Sequence, residues 1–120
     1  KIVKTSEIKY VLASHQDPDI VASINRWMNG TNCKLVCPEI WERFIPHFSR
    51  AGTMRNRIIS IPDRGMNIPL GDTIIKAIPA HFLHSEGNFQ FYDPISKVLF
   101  SGDMGANLTH AKVKKWLMPF

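Results

Sequence analysis

Histidine and aspartate residues follow three apolar segments of the sequence, which end at residues 13, 78 and 100. Ligands gather outside the carboxyl ends of strands in α/β folds, so side chains placed in this way are expected to share one site. Imidazole nitrogens and carboxylate oxygens together suit iron, manganese or zinc, whereas structural zinc sites are rich in cysteine. The candidate residues are His15, Asp17, Asp19, His81, His84 and Asp103.

The first three of these residues alternate along the chain at positions 15, 17 and 19. In extended backbone, alternate side chains project to the same side, so all three could reach one ion. Each residue also has an ordinary structural explanation. Asp17 could cap a helix and Asp19 could complement the helix dipole, while His15 and Asp103 could be loop and turn residues. Their joint placement after three strands favours the metal centre.

The elements that must position these residues form two halves. Residues 8–13 and 34–36 are predicted strands, and residues 18–30 and 38–48 are predicted helices, the first with Asp17 as its N-cap. The second half is predicted to be strands over residues 58–61, 66–69, 74–78, 89–92 and 97–100. Two α/β units followed by a β-rich half predict an α/β (α+β) fold, with a mixed sheet and helices outside it.

The 120 residues are expected to form one domain, residues 1–120. The chain begins with Lys1 and ends in the apolar stretch 116–120, from which we expect a fragment of a longer domain. No apolar run approaches the roughly 20 residues of a membrane span, and no secretory signal is present, so we expect a cytoplasmic protein. Cys33 and Cys37 are predicted to be buried free thiols, as suits a reducing compartment.

The net charge of +5 includes arginines at residues 50, 55 and 57 and lysines at residues 112, 114 and 115. No nucleic-acid-binding motif or interleaved aromatic residues accompany these clusters. A solvated basic face is therefore the preferred interpretation, and we expect no nucleic-acid partner.

Three motifs in the sequence resemble the metal motifs of the metallo-β-lactamase fold: residues 15–19, 80–88 and 99–106. More narrowly, they resemble the di-iron domain of flavodiiron proteins and of their flavin-free relatives, the oxygen-binding di-iron proteins. The resemblance covers most of the chain. It implies metallo-β-lactamase-like mixed β-sheets with outer helices, arranged as a partial αββα sandwich.

In that family the first motif is His-x-Glu-x-Asp-His, so Asp17 stands where glutamate is usual and Asp103 matches the bridging aspartate. His81 is then either a second-shell partner of a ligand or an ordinary loop histidine. The metal ligands that the resemblance implies are His15, Asp17, Asp19, His84 and Asp103.

The sequence departs from the family pattern at two ligands. Ile20 occupies the position of the motif's last histidine, and the family's final ligand histidine would lie beyond Phe120. The first metal keeps four ligands, which are His15, Asp17, His84 and Asp103. The second metal keeps only Asp19 and the bridging Asp103. A downstream residue, a solvent ligand or His110 could complete it, although His110 is better explained as a surface residue.

The family chemistry is reductive binding of O2 or NO at two ferrous ions. The resemblance therefore implies two Fe ions, with Zn or Mn as alternatives, and nothing in the sequence resembles a flavin-binding domain. The flavin-free relatives sense oxygen, so we expect an oxygen-sensing module that binds or reduces O2. If the protein is an enzyme, it would be an O2 or NO reductase. Expected partners are O2 or NO, a signalling output domain or electron donor, and a second copy in a homodimer.

Two other functions remain open. A metallo-β-lactamase-fold hydrolase would use a metal-bound hydroxide, but such enzymes usually carry His-x-His-x-Asp-His, which Asp17 and Ile20 break. A degenerate domain without metal could instead bind partners. Its interface would then include Trp27, Trp41 or Trp116, although core packing is the usual explanation for such residues.

Overall fold

Two β-sheets organise residues 3–104, which are the residues that the computed structural model describes. The first sheet is parallel, with strand order β1-β2-β3, and the second is antiparallel, with order β4-β5-β6-β7. The strands are β1 (Tyr10–Leu12), β2 (Lys34–Pro38), β3 (Ile58–Ile61), β4 (Met66–Leu70), β5 (Thr73–Pro79), β6 (Phe89–Asp93) and β7 (Val98–Phe100). The helices are α1 (Pro18–Val21) and α2 (Ile24–Gly30), and 3₁₀ turns form at Thr5–Glu7, Glu39–Trp41 and Ile45–Phe48.

The central strand β2 explains how the layers are stacked. Its side chains alternate between the two faces of the parallel sheet, as the period of a strand requires. Leu35 and Cys37 pack with residues of α1 and α2, including Val21 and Met28. Val36 packs on the opposite face, against residues of the second sheet. The helices therefore cover one face of the parallel sheet and the antiparallel sheet covers the other.

The interior between the sheets contains Ile61 from β3, Ile68 from β4, and Phe89 and Phe91 from β6, all of them buried. This arrangement confirms the predicted fold class. Parallel and antiparallel pairing occur in separate sheets among the described residues, and not within one mixed sheet.

The strands of the second half follow the predicted boundaries closely. Gly71 adopts a left-handed φ of 62° in the turn between β4 and β5, where glycine has no steric penalty. In the turn between β6 and β7, the carboxylate of Asp93 accepts hydrogen bonds from the backbone N–H of Ile95 and the hydroxyl of Ser96. These bonds lower the pKa of Asp93 and close the predicted hairpin.

The two predicted helices are wrong in extent. Residues 18–30 form α1 and α2 with a break at Ala22 and Ser23, and residues 38–48 form no α-helix. Strand β2 runs on to Pro38, and the two 3₁₀ turns follow it. Long-range bonds hold this segment: the indole N–H of Trp41 donates to the Glu86 carbonyl, and the hydroxyl of Ser60 donates to the Glu42 carboxylate. Tertiary contacts therefore override the helical periodicity.

Cys33 and Cys37 are buried free thiols, as predicted. Burial, with a smaller contribution from the nearby negative charge of Glu42, raises the pKa of Cys37 from 9.0 to about 12. Arg57 does not belong to a solvated basic face, because its guanidinium donates to the carbonyls of Met28, Thr31 and Cys33. Lysines 112, 114 and 115, His110 and Trp116 lie outside the described residues. No helix within residues 3–104 is long and apolar enough to cross a membrane.

Candidate metal centre

His15 lies directly beyond the carboxyl end of β1, where two backbone bonds hold the chain. The Ala13 N–H donates to the Val36 carbonyl, and the Phe89 N–H donates to the Ser14 carbonyl. The His15 side chain is 0% exposed, and its Nδ1 lies 2.9 Å from the hydroxyl oxygen of Ser14. Its Nε2 is also buried and has no hydrogen-bond partner among the described residues. A buried polar atom without a partner is costly, so this nitrogen is a candidate metal-binding atom.

Asp17 precedes α1 at the N-cap position, but its carboxylate makes no capping hydrogen bond. Its Oδ2 instead lies 3.0 Å from Nε2 of His84 and 3.5 Å from Nε2 of His15. The capping explanation for Asp17 is therefore wrong. The carboxylate faces the two imidazoles.

His84 comes from the loop between β5 and β6, which brings it to His15 from the second sheet. The loop is closed by bonds from the Ala80 N–H to the Asn88 carbonyl and from the Leu83 N–H to the Ala80 carbonyl. Phe82 adopts a left-handed φ of 64° within it. The rings of His15 and His84 meet edge to face, with their centroids 4.8 Å apart.

Asp103 follows β7 and completes the cluster. Its Oδ2 lies 3.7 Å from Nε2 of His15 and 3.9 Å from Nε2 of His84. Two ligands of one ion, each about 2.1 Å from it, lie about 3.0 to 3.4 Å apart at right-angle or tetrahedral geometry. The observed separations are near this range or slightly wider. The donor set of two imidazoles and two carboxylates therefore fits one divalent ion.

The structure does not bring Asp19 to this group. Candidate ligand atoms of His15, Asp17 and His84 all lie within 4.8 Å of one another. Asp103 is not part of that tight group but approaches both imidazoles at 3.7 and 3.9 Å, whereas Asp19 is exposed in the first turn of α1. Ile20 is partly buried and packs against the core beneath the helices. The position of the family motif's last histidine therefore faces the core. The described residues assemble ligands for one ion but not for a second.

His81 makes contacts of a different kind. Its Nε2 lies 2.9 Å from the backbone carbonyl oxygen of Asp63, and its ring meets Phe89 edge to face at 5.2 Å. These contacts fit a loop histidine that ties the loop after β3 to the β5–β6 loop. Its assignment as a second-shell residue stays a prediction.

Sequence reasoning did not single out Ser14, although its hydroxyl contacts His15 directly. It also passed over Asn88, which is 0% exposed and whose Oδ1 has no partner among residues 3–104. Neither residue belongs to a spacing pattern. The available signal was only their position: Ser14 directly precedes a candidate ligand, and Asn88 directly precedes β6.

A protein-family model described as ODP family beta lactamase matches residues 1–119. Among solved structures, one described as "Peroxy diiron species of chemotaxis sensor ODP" is 38% identical in sequence to this chain, with a TM-score of 0.76. The match covers 90% of this chain and 44% of that chain. "Apo state of chemotaxis sensor ODP from T. denticola" is 39% identical with a TM-score of 0.76, and covers 90% of this chain and 43% of that one.

A third structure is similar in fold alone: the rubredoxin oxygen:oxidoreductase of Desulfovibrio gigas, with 16% identity, a TM-score of 0.72, and coverage of 92% of this chain and 27% of that one. The comparison with curated protein sequences found no significant match. The chain spans less than half the length of the two chemotaxis-sensor structures. The family model spans almost the whole chain, however, and the chain therefore belongs to the ODP beta-lactamase family.

Proposed function

We propose that this chain is the metal-binding part of a di-iron domain that binds O2 and acts as an oxygen-sensing module of a signalling protein. The observation that carries the proposal is the cluster of His15, Asp17, His84 and Asp103 around a buried, unpartnered imidazole nitrogen. A chemotaxis sensor whose solved structure is described as di-iron shares 38% identity with the chain and supports the assignment.

The four clustered residues would hold the first iron ion. The two carboxylates balance the charge of a divalent ion, and the two neutral imidazoles complete a nitrogen and oxygen ligand set that suits ferrous iron. When bound, the iron supplies the capacity to bind O2 reductively. The side chains of Asp17 and Asp103 are each 34% exposed, so one side of the cluster is open to a small diatomic ligand.

We also propose that a second iron ion binds beside the first. Asp103 would bridge the two ions, and Asp19 would bind the second after a local change at the start of α1. Its remaining ligands would come from outside the described residues or from solvent. We expect the second ion to bind more weakly, because Ile20 offers no ligand atom where the family motif has histidine.

The proposed partners follow from the sensor assignment. O2 is the primary ligand and NO is the alternative, and the signal would pass to an output domain or to a second copy of the protein in a homodimer. A sensor and a reductase differ in turnover. We expect the reduced protein to take up O2 stoichiometrically with its iron, whereas sustained O2 consumption with excess reductant would identify a reductase.

Metal content is the first test. The longest native protein, purified without oxygen, is expected to hold close to two irons per chain by elemental analysis. His84→Ala and Asp103→Ala should each lose most of the iron and the optical change on adding O2. His47→Ala is the matched control, because His47 is an exposed histidine of the Ile45–Phe48 turn. Full iron and full O2 response in both ligand variants would overturn the proposal, and zinc in the native protein would favour the hydrolase.

A further inference from the structure

A buried hydroxyl lies on the side of His15 opposite the ligand cluster. The oxygen of Ser14 is 2.9 Å from Nδ1 of His15, and both residues are buried. The other ring nitrogen, Nε2, faces the carboxylates of Asp17 and Asp103. The two nitrogens of one imidazole therefore have different environments, one with a hydroxyl and one with candidate ligands.

The proton position on this ring decides whether Nε2 can bind an ion. A neutral imidazole carries one proton, and a nitrogen that binds a metal must present a lone pair. We propose that Ser14 is a positioning residue of the metal centre: its oxygen accepts a hydrogen bond from Nδ1 of His15 and thereby fixes the tautomer in which Nε2 is free. This inference rests on the proposed function, since it takes His15 as a ligand.

The surroundings of Ser14 hold the hydroxyl in place. The Ser14 carbonyl accepts the Phe89 N–H, so the backbone is attached to β6. On the other side, a Cβ added to Gly102 would lie 3.2 Å from the Ser14 oxygen and 3.8 Å from Oδ1 of Asn88. A Cβ at position 102 would therefore crowd the Ser14 hydroxyl, and the φ of 61° at this position also favours glycine. Burial and the backbone bond to β6 therefore restrict the Ser14 side chain.

The same packing links Ser14 to a second ligand. Gly102 directly precedes Asp103, and a Cβ added at position 102 would lie 3.2 Å from the hydroxyl oxygen of Ser14. The segment after β7, which carries Asp103, therefore packs close to the β1 loop, which carries Ser14 and His15. A partner of this kind, behind a metal-binding histidine, typically changes metal affinity by about 10- to 100-fold when it is removed.

The test compares Ser14→Ala with Ser14→Thr, which keeps the hydroxyl. Anaerobic Fe(II) titration should show affinity lower by about tenfold or more in Ser14→Ala and recovery to near wild type in Ser14→Thr. Long-range ¹H–¹⁵N spectra of the metal-free protein should show His15 protonated at Nδ1 in wild type and as a mixture of tautomers in Ser14→Ala. If Ser14 had a purely structural role, Ser14→Ala would change the thermal midpoint of unfolding but not the tautomer of His15.

Gly102→Ala and Gly71→Ala provide a matched second pair. Their φ values are 61° and 62°, so the backbone strain of the two alanines is equal, but only the Cβ at position 102 has heavy atoms within 4 Å. Gly102→Ala should disturb the His15 tautomer and Gly71→Ala should not. Gly102 adjoins the candidate ligand Asp103, so Fe(II) affinity would not separate an effect on His15 from an effect on Asp103. The His15 tautomer is therefore the readout for this pair.

The failure of this inference is distinguishable from the failure of the proposed function. An unchanged tautomer and an unchanged Fe(II) affinity in Ser14→Ala would overturn the role of Ser14 while wild-type iron binding stood. A wild-type protein that binds no iron would overturn the proposed function. The tautomer of the metal-free protein would in that case still decide whether Ser14 sets the proton position on His15.

Discussion

In His15, the ring nitrogen that is a candidate metal-binding atom, Nε2, is also buried. Nε2 is sealed from solvent and lacks a hydrogen-bond partner among residues 3–104, yet it faces two carboxylates. An apolar side chain there would avoid the desolvation cost of the ring. We therefore expect an ion to supply the missing partner.

For Fe(II) binding, we expect the negative charge of the Asp17 carboxylate to matter more than the shape of the side chain. Asp17→Asn keeps the volume but removes a negative ligand, so anaerobic titration should show Fe(II) affinity lower by about tenfold or more. Asp17→Glu restores the family's usual residue and should retain binding. Asp72→Asn, in the exposed turn between β4 and β5, is the control. Equal affinities in Asp17→Asn and wild type would remove Asp17 from the ligand set.

The raised pKa of Cys37 predicts a pH dependence of stability. The folded thiol titrates at about 12 and the unfolded thiol near 9.0, so above pH 9 only the unfolded chain releases this proton. Between pH 9 and 12 the free energy of unfolding should fall by up to about 1.4 kcal/mol per pH unit from this group. Cys37→Ala should lose that part of the slope in urea titrations. Parallel pH profiles for the two proteins would contradict the assignment.

Among the elements, the end of α2 is held by an arginine side chain in addition to Thr31, whose backbone N–H and hydroxyl donate to the Trp27 carbonyl. The guanidinium of Arg57 donates to the carbonyls of Met28, Thr31 and Cys33, at the end of α2 and the start of β2. Met28 lies in the last turn of α2, where a backbone carbonyl has no donor within the helix, and Thr31 and Cys33 lie between α2 and β2. Arg57 therefore ties the end of α2 to the strand that follows it.

Replacing this arginine should destabilise the fold although the charge is kept. Lysine lacks the planar fork that bonds several carbonyls at once, so Arg57→Lys is expected to lower the free energy of unfolding by about 1 to 3 kcal/mol in urea titrations. Arg55→Lys, on an exposed side chain two residues earlier, should change it by less than about 0.5 kcal/mol. Equal losses in both variants would show that the carbonyl bonds contribute little.

The strands were predictable from sequence because their apolar runs are bounded by turn residues. Over residues 38–48 the apolar residues recur at helical spacing, yet the chain forms two 3₁₀ turns. The spacing could not show that Trp41 would bond to the Glu86 carbonyl, 45 residues away. Likewise, positions after strands predicted six candidate residues, and the family resemblance selected His84 rather than His81 as the candidate ligand. The exposure of Asp19 and the contact of Ser14 with His15 were not predictable, because both depend on the local path of the β1 loop.

At the scale of the whole molecule, the ligand cluster joins the two sheets. His15 and Asp17 follow a strand of the parallel sheet, whereas His84 and Asp103 follow strands of the antiparallel sheet. An ion bound by all four would cross-link the layers. Binding energy at the centre would therefore add directly to the packing of one sheet on the other.

Iron should accordingly stabilise the folded state against heat. With free Fe(II) at about 100 times its dissociation constant, mass action adds about 2.7 kcal/mol to the free energy of unfolding. Anaerobic calorimetry should show a higher thermal midpoint for wild type with Fe(II) and no shift for His84→Ala. The His47→Ala control should shift as wild type does. An equal shift in His84→Ala would place the bound iron elsewhere.

The burial of the two thiols has a consequence if the proposed oxygen-binding function holds. Peroxide oxidises the thiolate form of cysteine, and it does so only where it can reach the sulfur. Cys33 and Cys37 are the only cysteines in the sequence, both are buried, and the raised pKa of Cys37 keeps it protonated at neutral pH. Peroxide would therefore reach these two thiols poorly, and cysteine oxidation is not expected to contribute to an oxygen response of this chain.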